Sequence, residues 1–505
     1  MLDIWLNGFE SLLHIQELLF LTLGMGIGLV AGAIPGLGPT TALALLIPLT
    51  YGMQPITALA LSAGVMGAAP MGGSISAILL NAPGASPNAA TCLDGYPLSQ
   101  QGKAGLAIGA AASANSIGGI IGTVSLLLVL PLAKQLVLLF GPPEFFLLGL
   151  LGLAVVASAS RGKMLRSLVA GLFGLMIACI GYDQVTGTVR YTFGIDYLWD
   201  GIHLVPALIG LFAVAEMINL WVKGGTIAKD ASNVKITRMM AGLFETFRHW
   251  PTVLRSSLIG TVIGAIPGAG GVVAAFVSYS MTVQISKNPD SFGKGNIQGV
   301  IAPEAAINAK DSSSLIPTLA FGIPGSAEMA VFLGILVLHG LQPGPLMLIQ
   351  NQTQIYGLIW ALTAACILAS CLGLFLTRPL ARVTLLPTAI LVPSVLTVAL
   401  IGSWAVDQTI GNVIVTLVFG VIGHLMTRFD YPRLPIVISL VLGGNIERDF
   451  LQSMMISNGS WQIFVTRPVS LILASLVILA LAVTPGRAAW GWGTTRLRRL
   501  KQGST

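Results

Sequence analysis

The stretch GAIPGLGPTTALALLIP, Gly32 to Pro48, decides the reading, because its first five residues return in GAIPGAGGVVAAFVSYS, Gly264 to Ser280. One copy lies in each half of the 505-residue chain, inside apolar sequence. Proline removes a backbone donor and stops a helix, while glycine lets the backbone approach a ligand closely. Each copy is followed by a second break, Asn81-Ala82-Pro83-Gly84 in one half and Gly322-Ile323-Pro324-Gly325 in the other. Paired helix breaks in related halves are how a membrane carrier builds a central binding site.

Composition agrees. Hydrophobic residues make up 54% of the chain and charged residues 9%, and the mean hydropathy is +0.86. Soluble domains carry about 25% charged residues, so a water-soluble globule is excluded. Strand-like alternation is missing, which argues against an outer-membrane barrel. The expected fold is all-α: a polytopic helical membrane protein of about 11–12 membrane segments, with broken helices or re-entrant hairpins. Clear spans are expected near 12–33, 104–131, 143–159, 165–182, 203–222, 253–270, 354–376, 385–401, 408–427, 434–446 and 468–484. Between 34 and 100, and between 271 and 350, the apolar segments read as short and repeatedly cut by Gly and Pro.

Basic residues set the orientation. Arg161, Lys163 and Arg166, the group Lys223, Lys229, Lys235, Arg238, Arg248 and Arg255, the pairs Arg378 with Arg382 and Arg428 with Arg433, and the tail Arg487, Arg496, Arg498, Arg499 and Lys501 all read as cytoplasmic. Lys134, Arg190, Arg448 and Arg467 are exceptions. The first ten residues hold Asp3 and Glu10 but no Lys or Arg, the reverse of a signal peptide, so the first helix reads as a retained span. The N-terminus is then periplasmic and the C-terminus cytoplasmic, in a bacterial inner membrane. Two halves entering from opposite sides make an inverted-topology repeat: 1–222 as the first half, 223–252 as a cytoplasmic linker, 253–467 as the second half, and 468–505 as an extra span with a basic tail in which Trp490 and Trp492 anchor the interface.

Helix starts after Pro35, Pro83, Pro267 and Pro324 attract carboxylates through free N–H groups and the helix dipole. The substrate-binding candidates are therefore Gly36, Gly38, Thr40, Thr41, Asn81, Pro83, Gly84, Ser86, Gly268, Gly270, Pro324, Gly325 and Ser326. Asn88, Thr91 and Ser312 add neutral donors near the breaks. Buried charge is expensive in a membrane, which makes Asp94 and Glu304 candidates for cation coupling, with Ser74, Ser76, Asn308, Ser313 and Ser314 as neutral oxygens or amides nearby. Lys310 beside Asp311 reads as a structural or surface pair, and Glu328 lies near the same break. Ser and Asn also cap helices with no ligand involved, and small residues also pack helices closely. Glu144, Asp183 and Glu216 read as span-end residues.

Enzyme chemistry has little support. His14, His203, His249, His339 and His424 are scattered, no Walker A sequence occurs, and Cys92, Cys179, Cys366 and Cys371 form neither a metal nor a disulfide pattern. No cofactor and no nucleic-acid partner is expected; Na⁺ ligands, if any, are not identified.

Beyond these readings the chain resembles the large membrane subunit of the tripartite tricarboxylate transporter family (TctA-like). The resemblance is carried by GAIPGLGPTTALALLIPLTYGM (Gly32 to Met53), NAPGASPNAATCLDGYPL (Asn81 to Leu98), QGKAG (Gln101 to Gly105), APEAAINAKDSSSLIPTLAFGIPGSAEMAV (Ala302 to Val331) and GLQPGPLM (Gly340 to Met347). It implies a small four-helix membrane subunit and a periplasmic solute-binding protein as partners. It also implies import of a tri- or dicarboxylate such as citrate, with Na⁺ or H⁺ as the coupling ion. The residues alone reach a secondary carrier with an internal repeat. The alternative is a channel or membrane scaffold subunit without transport activity of its own.

Overall fold

The computed structural model describes residues 2–137, 140–160, 163–183, 185–223, 238–344, 346–383 and 387–482. Arg161, Lys229, Lys235, Trp490, Trp492 and the basic tail lie outside them. The chain packs as two units, Met1–Val137 with His203–Arg428, and Leu138–Ile202 with Phe429–Thr505. Each unit draws on both halves of the sequence.

Among the described residues eight helices are long and apolar enough to cross a membrane: Ile15–Ala33, Pro55–Leu80, Ala104–Leu132, Pro142–Ala159, Leu204–Lys223, Gln352–Val383, Thr388–Asp407 and Ile410–Arg428. Shorter apolar helices include Gly38–Thr50, Met164–Ala178, Gly270–Ile285, Ala327–Leu338 and Pro468–Ala482. The expected spans at 165–182, 253–270 and 468–484 are thus shorter helices, the second being Trp250–Gly264, whereas the expected 434–446 runs on as Leu434–Ile456. The expected linker is partly helical, since Met239–Arg248 and the start of Trp250–Gly264 fall within it.

The expectation of short, repeatedly cut segments between 34 and 100 is corrected in its middle part: breaks stand before and after it, yet Pro55–Leu80 is a single 26-residue helix with Pro70 inside. It is held by burial: 94% of its apolar window lies inside the protein. Its small residues let Ile15–Ala33 pack backbone against backbone, Gly24 against Leu61 and Gly64, Gly28 against Val65, and Gly32 against Ala69. Small residues four apart allow that approach, and enclosure by protein lets a helix carry an internal proline at membrane depth.

The two GAIPG motifs have matching backbones. The helix Ile15–Ala33 stops where Ile34, ahead of Pro35, turns extended (φ −82°, ψ 113°), the region proline favours for the residue before it. Gly36 (φ 93°) and Gly38 (φ 57°) are then left-handed, and so are their counterparts Gly268 (φ 75°) and Gly270 (φ 70°). New helices follow at Gly38–Leu46 and Gly270–Ile285. The second breaks also agree. Pro55–Leu80 ends on left-handed Asn81, and Leu315–Phe321 ends on left-handed Gly322, in each case two residues before the Pro-Gly. In each half this Pro-Gly lies on the first glycine of GAIPG. A Cβ at Gly84 would overlap the Gly32 carbonyl oxygen, and one at Gly325 would come within 3.1 Å of the Gly264 carbonyl oxygen. Gly268 N–H also donates to the Gly325 carbonyl at 3.1 Å.

The unit of Leu138–Ile202 and Phe429–Thr505 is built on Pro142–Ala159, Met164–Ala178 and Leu434–Ile456. Its short antiparallel ribbon pairs Gly181 with Arg190. Glu144 is buried there and accepts from Gly141 N–H at 2.8 Å and Ser470 Oγ at 2.5 Å, with Arg467 Nε 3.1 Å away. Arg190 grips Glu447 with two nitrogens at 2.8 and 2.9 Å. In the connecting loop, hydrogen bonds from Thr186 Oγ1 and Val185 N–H hold the Asp183 carboxyl below the usual carboxylate range.

Candidate functional site

The helix Gln298–Ser313 carries the densest set of buried polar groups and lies wholly in the first unit. Two neighbouring helices press on it through glycine. Gly118 and Gly122 of Ala104–Val137 meet Ala305 and Ala309, Gly260 of Trp250–Gly264 meets Ala306, and Gly264 meets Lys310. Such close packing buries the helix, and buried polar groups call for hydrogen-bond partners.

Glu304 is fully buried. Its Oε2 accepts from Ser74 Oγ at 2.6 Å; its Oε1 accepts from Thr91 Oγ1 at 2.5 Å and from Asn88 Nδ2 at 3.3 Å. A carboxylate from the second half is therefore held by the first half's break: Ser74 on Pro55–Leu80, with Asn88 and Thr91 just past Pro83-Gly84. No Lys, Arg or His of the described residues lies within ion-pair range of it. Ser74 Oγ is also 2.8 Å from the Pro70 carbonyl, but a hydroxyl has one proton to donate. With Glu304 ionised, Ser74 donates to it, and Pro70 keeps Asn88 Nδ2 at 3.3 Å. With Glu304 protonated on Oε2, the carboxyl donates to Ser74, which turns its proton to Pro70. Both charge states are satisfied by one rotation of a hydroxyl. Asn88 Oδ1, on the amide whose Nδ2 reaches the carboxylate, is buried and has no hydrogen-bond partner among the described residues.

The other expected coupling residues separate by role. Asp94 is buried, but its Oδ1 accepts from Gly295 and Asn296 N–H at 2.8 Å each and its Oδ2 from Tyr279 Oη at 2.9 Å. It closes the loop ahead of Gln298–Ser313, as a backbone cap does. Ser76, Ser313 and Ser314 donate to backbone carbonyls within their own segment, those of Gly73, Lys310 and Asp311. Asn308 donates to Asn115 Oδ1 at 2.5 Å and accepts from Cys366 Sγ at 3.5 Å.

Of the expected substrate-binding residues, Gly36, Asn81 and Ser86 are exposed, while Gly38, Thr40, Pro83 and Gly270 are half-buried. Gly84, Pro324, Gly325 and Ser326 are buried, and Thr41 is buried on Gly38–Leu46. Gly268 is half-buried at the second break. Ser326 is the N-cap of Ala327–Leu338 and its hydroxyl makes no capping bond.

Of the two readings of Lys310-Asp311, structural or surface, the structure shows the structural one. Lys310 is fully buried and pairs with Asp311 and with Glu328 Oε1, the latter at 2.5 Å. Asn115 was not anticipated. It sits in the run ASANSIGG, where small residues signal close packing and hide one amide.

The sequence model of the tripartite tricarboxylate transporter TctA family matches residues 18–438. An uncharacterized 52.8 kDa protein in the TAR-I ttuC′ 3′ region of Agrobacterium vitis is 34% identical over 481 residues, 95% of each chain. An uncharacterized protein in the TAR-II ttuC′ 3′ region of the same organism is 34% identical over 228 residues, 45% of this chain and 94% of that one.

Proposed function

This chain belongs to the tripartite tricarboxylate transporter TctA family, and from that premise we propose that it is the large transmembrane subunit of a binding-protein-dependent secondary transporter. It imports a tri- or dicarboxylate with Na⁺ or H⁺, in a bacterial inner membrane, with the N-terminus periplasmic and the C-terminus cytoplasmic. A periplasmic solute-binding protein delivers the substrate and a small four-helix membrane subunit completes the complex. The two halves act as an inverted repeat, and the helix starts after the four Pro-containing breaks hold the substrate carboxylates. The broken-helix region moves against the long spans during transport.

The observation that carries the reading is Glu304. A fully buried carboxylate without a basic partner is costly in a membrane, and it joins the break of one half to a helix of the other. A group that accepts a proton or a small cation at that point, with Asn88 Oδ1 as a spare acceptor, links occupancy by the ion to the arrangement of the breaks. Gln at position 304 imitates the protonated acid, since its amide donates to Ser74 while its oxygen accepts from Thr91.

Proteoliposomes with both membrane subunits and the binding protein, given a panel of labelled di- and tricarboxylates, test the proposal. Saturable uptake driven by a Na⁺ or H⁺ gradient is expected, and Glu304→Gln should remove the gradient dependence while leaving substrate exchange. Non-saturating conductance, or gradient-driven uptake unchanged in Glu304→Gln, defeats the proposal.

A further inference from the structure

A single buried carboxylate, Glu304, and a pair, Asp311 with Glu328, lie on or against the same helix, Gln298–Ser313, and they are met in different ways. Glu304 is met by neutral donors alone, Ser74, Asn88 and Thr91. About two turns further on, Asp311 and Glu328 face a common point, and Lys310 Nζ occupies it, bonded to both. Lys310 is 1% exposed and the side chains of Asp311 and Glu328 are 8% and 16% exposed. The lysine stem passes close to the breaks of both halves. A Cβ at Gly271, just past the second GAIPG, would meet Pro87 Cγ of the first half at 2.8 Å and Lys310 Cε at 3.5 Å. Glu328 sits in the first turn of Ala327–Leu338, where the helix dipole favours an anion. Besides these three groups, Cys366 of Gln352–Val383 is a titratable neighbour of Asp311.

Two carboxylates sharing a buried site repel each other and cannot both stay ionised without a cation between them. An ammonium is a compact point charge with three donors, comparable in role to a small monovalent metal ion among oxygen ligands. We propose that Lys310 is a built-in cation, its ammonium holding the place between Asp311 and Glu328 that a monovalent metal cation would otherwise fill. The second-half cluster thus brings its own counter-charge, and Glu304 is the buried carboxylate that takes one from solution. Under the carrier reading, on which this last consequence rests, the transport cycle needs one mobile cation fewer than the two acidic sites would suggest.

The cation site itself is tested without transport, so its failure is separable from failure of the carrier reading. Full-length wild type, Lys310→Met and the triple variant Lys310→Met/Asp311→Asn/Glu328→Gln are unfolded thermally in detergent. NaCl is compared with N-methylglucamine chloride at constant ionic strength and neutral pH. Lys310→Met should acquire a stabilisation by Na⁺ beyond any shown by the wild type. Each tenfold rise in Na⁺ above its Kd should raise its folded-to-unfolded ratio about tenfold. The triple variant should lose this gain. A Lys310→Met protein whose unfolding responds to Na⁺ no more than the wild type overturns the proposal. So does one that fails to fold even in Na⁺, since the metal ion should restore what the ammonium supplied, or a triple variant that keeps the full Na⁺ response.

Discussion

Thr91→Val tests the charge on Glu304 in the resting fold. Thr91 is fully buried and its hydroxyl donates to Glu304 Oε1 at 2.5 Å, leaving Asn88 at 3.3 Å as the other donor to that oxygen. Valine keeps the branched shape and deletes the donor. A hydrogen bond to an ionised group contributes about 1.5–3 kcal/mol net, and one between neutral groups about 0.5–1.5 kcal/mol. If Glu304 is ionised, Thr91→Val should cost the larger amount in the wild type and the smaller one when Gln occupies position 304. The double-mutant cycle then returns a coupling of about 1–2 kcal/mol, above the roughly 0.5 kcal/mol expected of independent sites. Reversible denaturant unfolding of the four proteins in mixed micelles gives the four free energies. A Thr91→Val cost that is the same in both backgrounds would refute the reasoning, because the hydroxyl would then not be stabilising a charge.

Gly84→Ala should destabilise by about 1–3 kcal/mol, because its methyl would strike the Gly32 backbone; an unchanged melting midpoint would contradict the packing of the two breaks. Gly36→Ala and Gly268→Ala should each cost about 1–2 kcal/mol for a left-handed residue with a Cβ, whereas Gly26→Ala, inside Ile15–Ala33 with open space around it, should lose nothing and gain up to about 1 kcal/mol of helix propensity in the same melts. Asp183 has a lowered folded value, set first by the Thr186 hydrogen bond. Its contribution is therefore complete above the ordinary aspartate value of about 3.9 and is lost as pH falls through the lower folded value. Limited proteolysis of the 179–203 loop across that acid range should show protection fading in the wild type. In Asp183→Asn the protection should be weaker at neutral pH and nearly independent of acid.

Some of this site is legible in the residues because its causes are local. Proline and glycine order dictates the two GAIPG turns, and their left-handed glycines follow from the motif itself. Glu304 stands out because a carboxylate in an apolar run must have a reason. Asp94 stands out for the same reason, yet what satisfies it is the backbone of residues 295 and 296, some 200 positions away. No local pattern separates those two fates. Lys310 beside Asp311 reads equally as a structural or a surface pair; what decides for burial is Glu328, on the far side of a helix break. Pro55–Leu80 misleads in the opposite sense. Its Gly and Pro content argues for breaks in isolation, and enclosure by neighbouring helices, Ile15–Ala33 along its glycine face and Gln352–Val383, makes the continuous helix favourable.

That central helix also bears on how the protein is made. Pro55–Leu80 spans the bilayer in length but has almost no surface for lipid, and it carries Ser62, Ser74, Ser76 and several glycines inward. While it is being inserted, before Ile15–Ala33 and Gln352–Val383 close around it, those hydroxyls and the exposed backbone would face hydrocarbon. Gln352–Val383 is synthesised some 270 residues later. For that interval the growing chain holds an unsheltered helix whose final enclosure comes from its own distant part, which makes the first half, expressed alone, a natural client for membrane quality control.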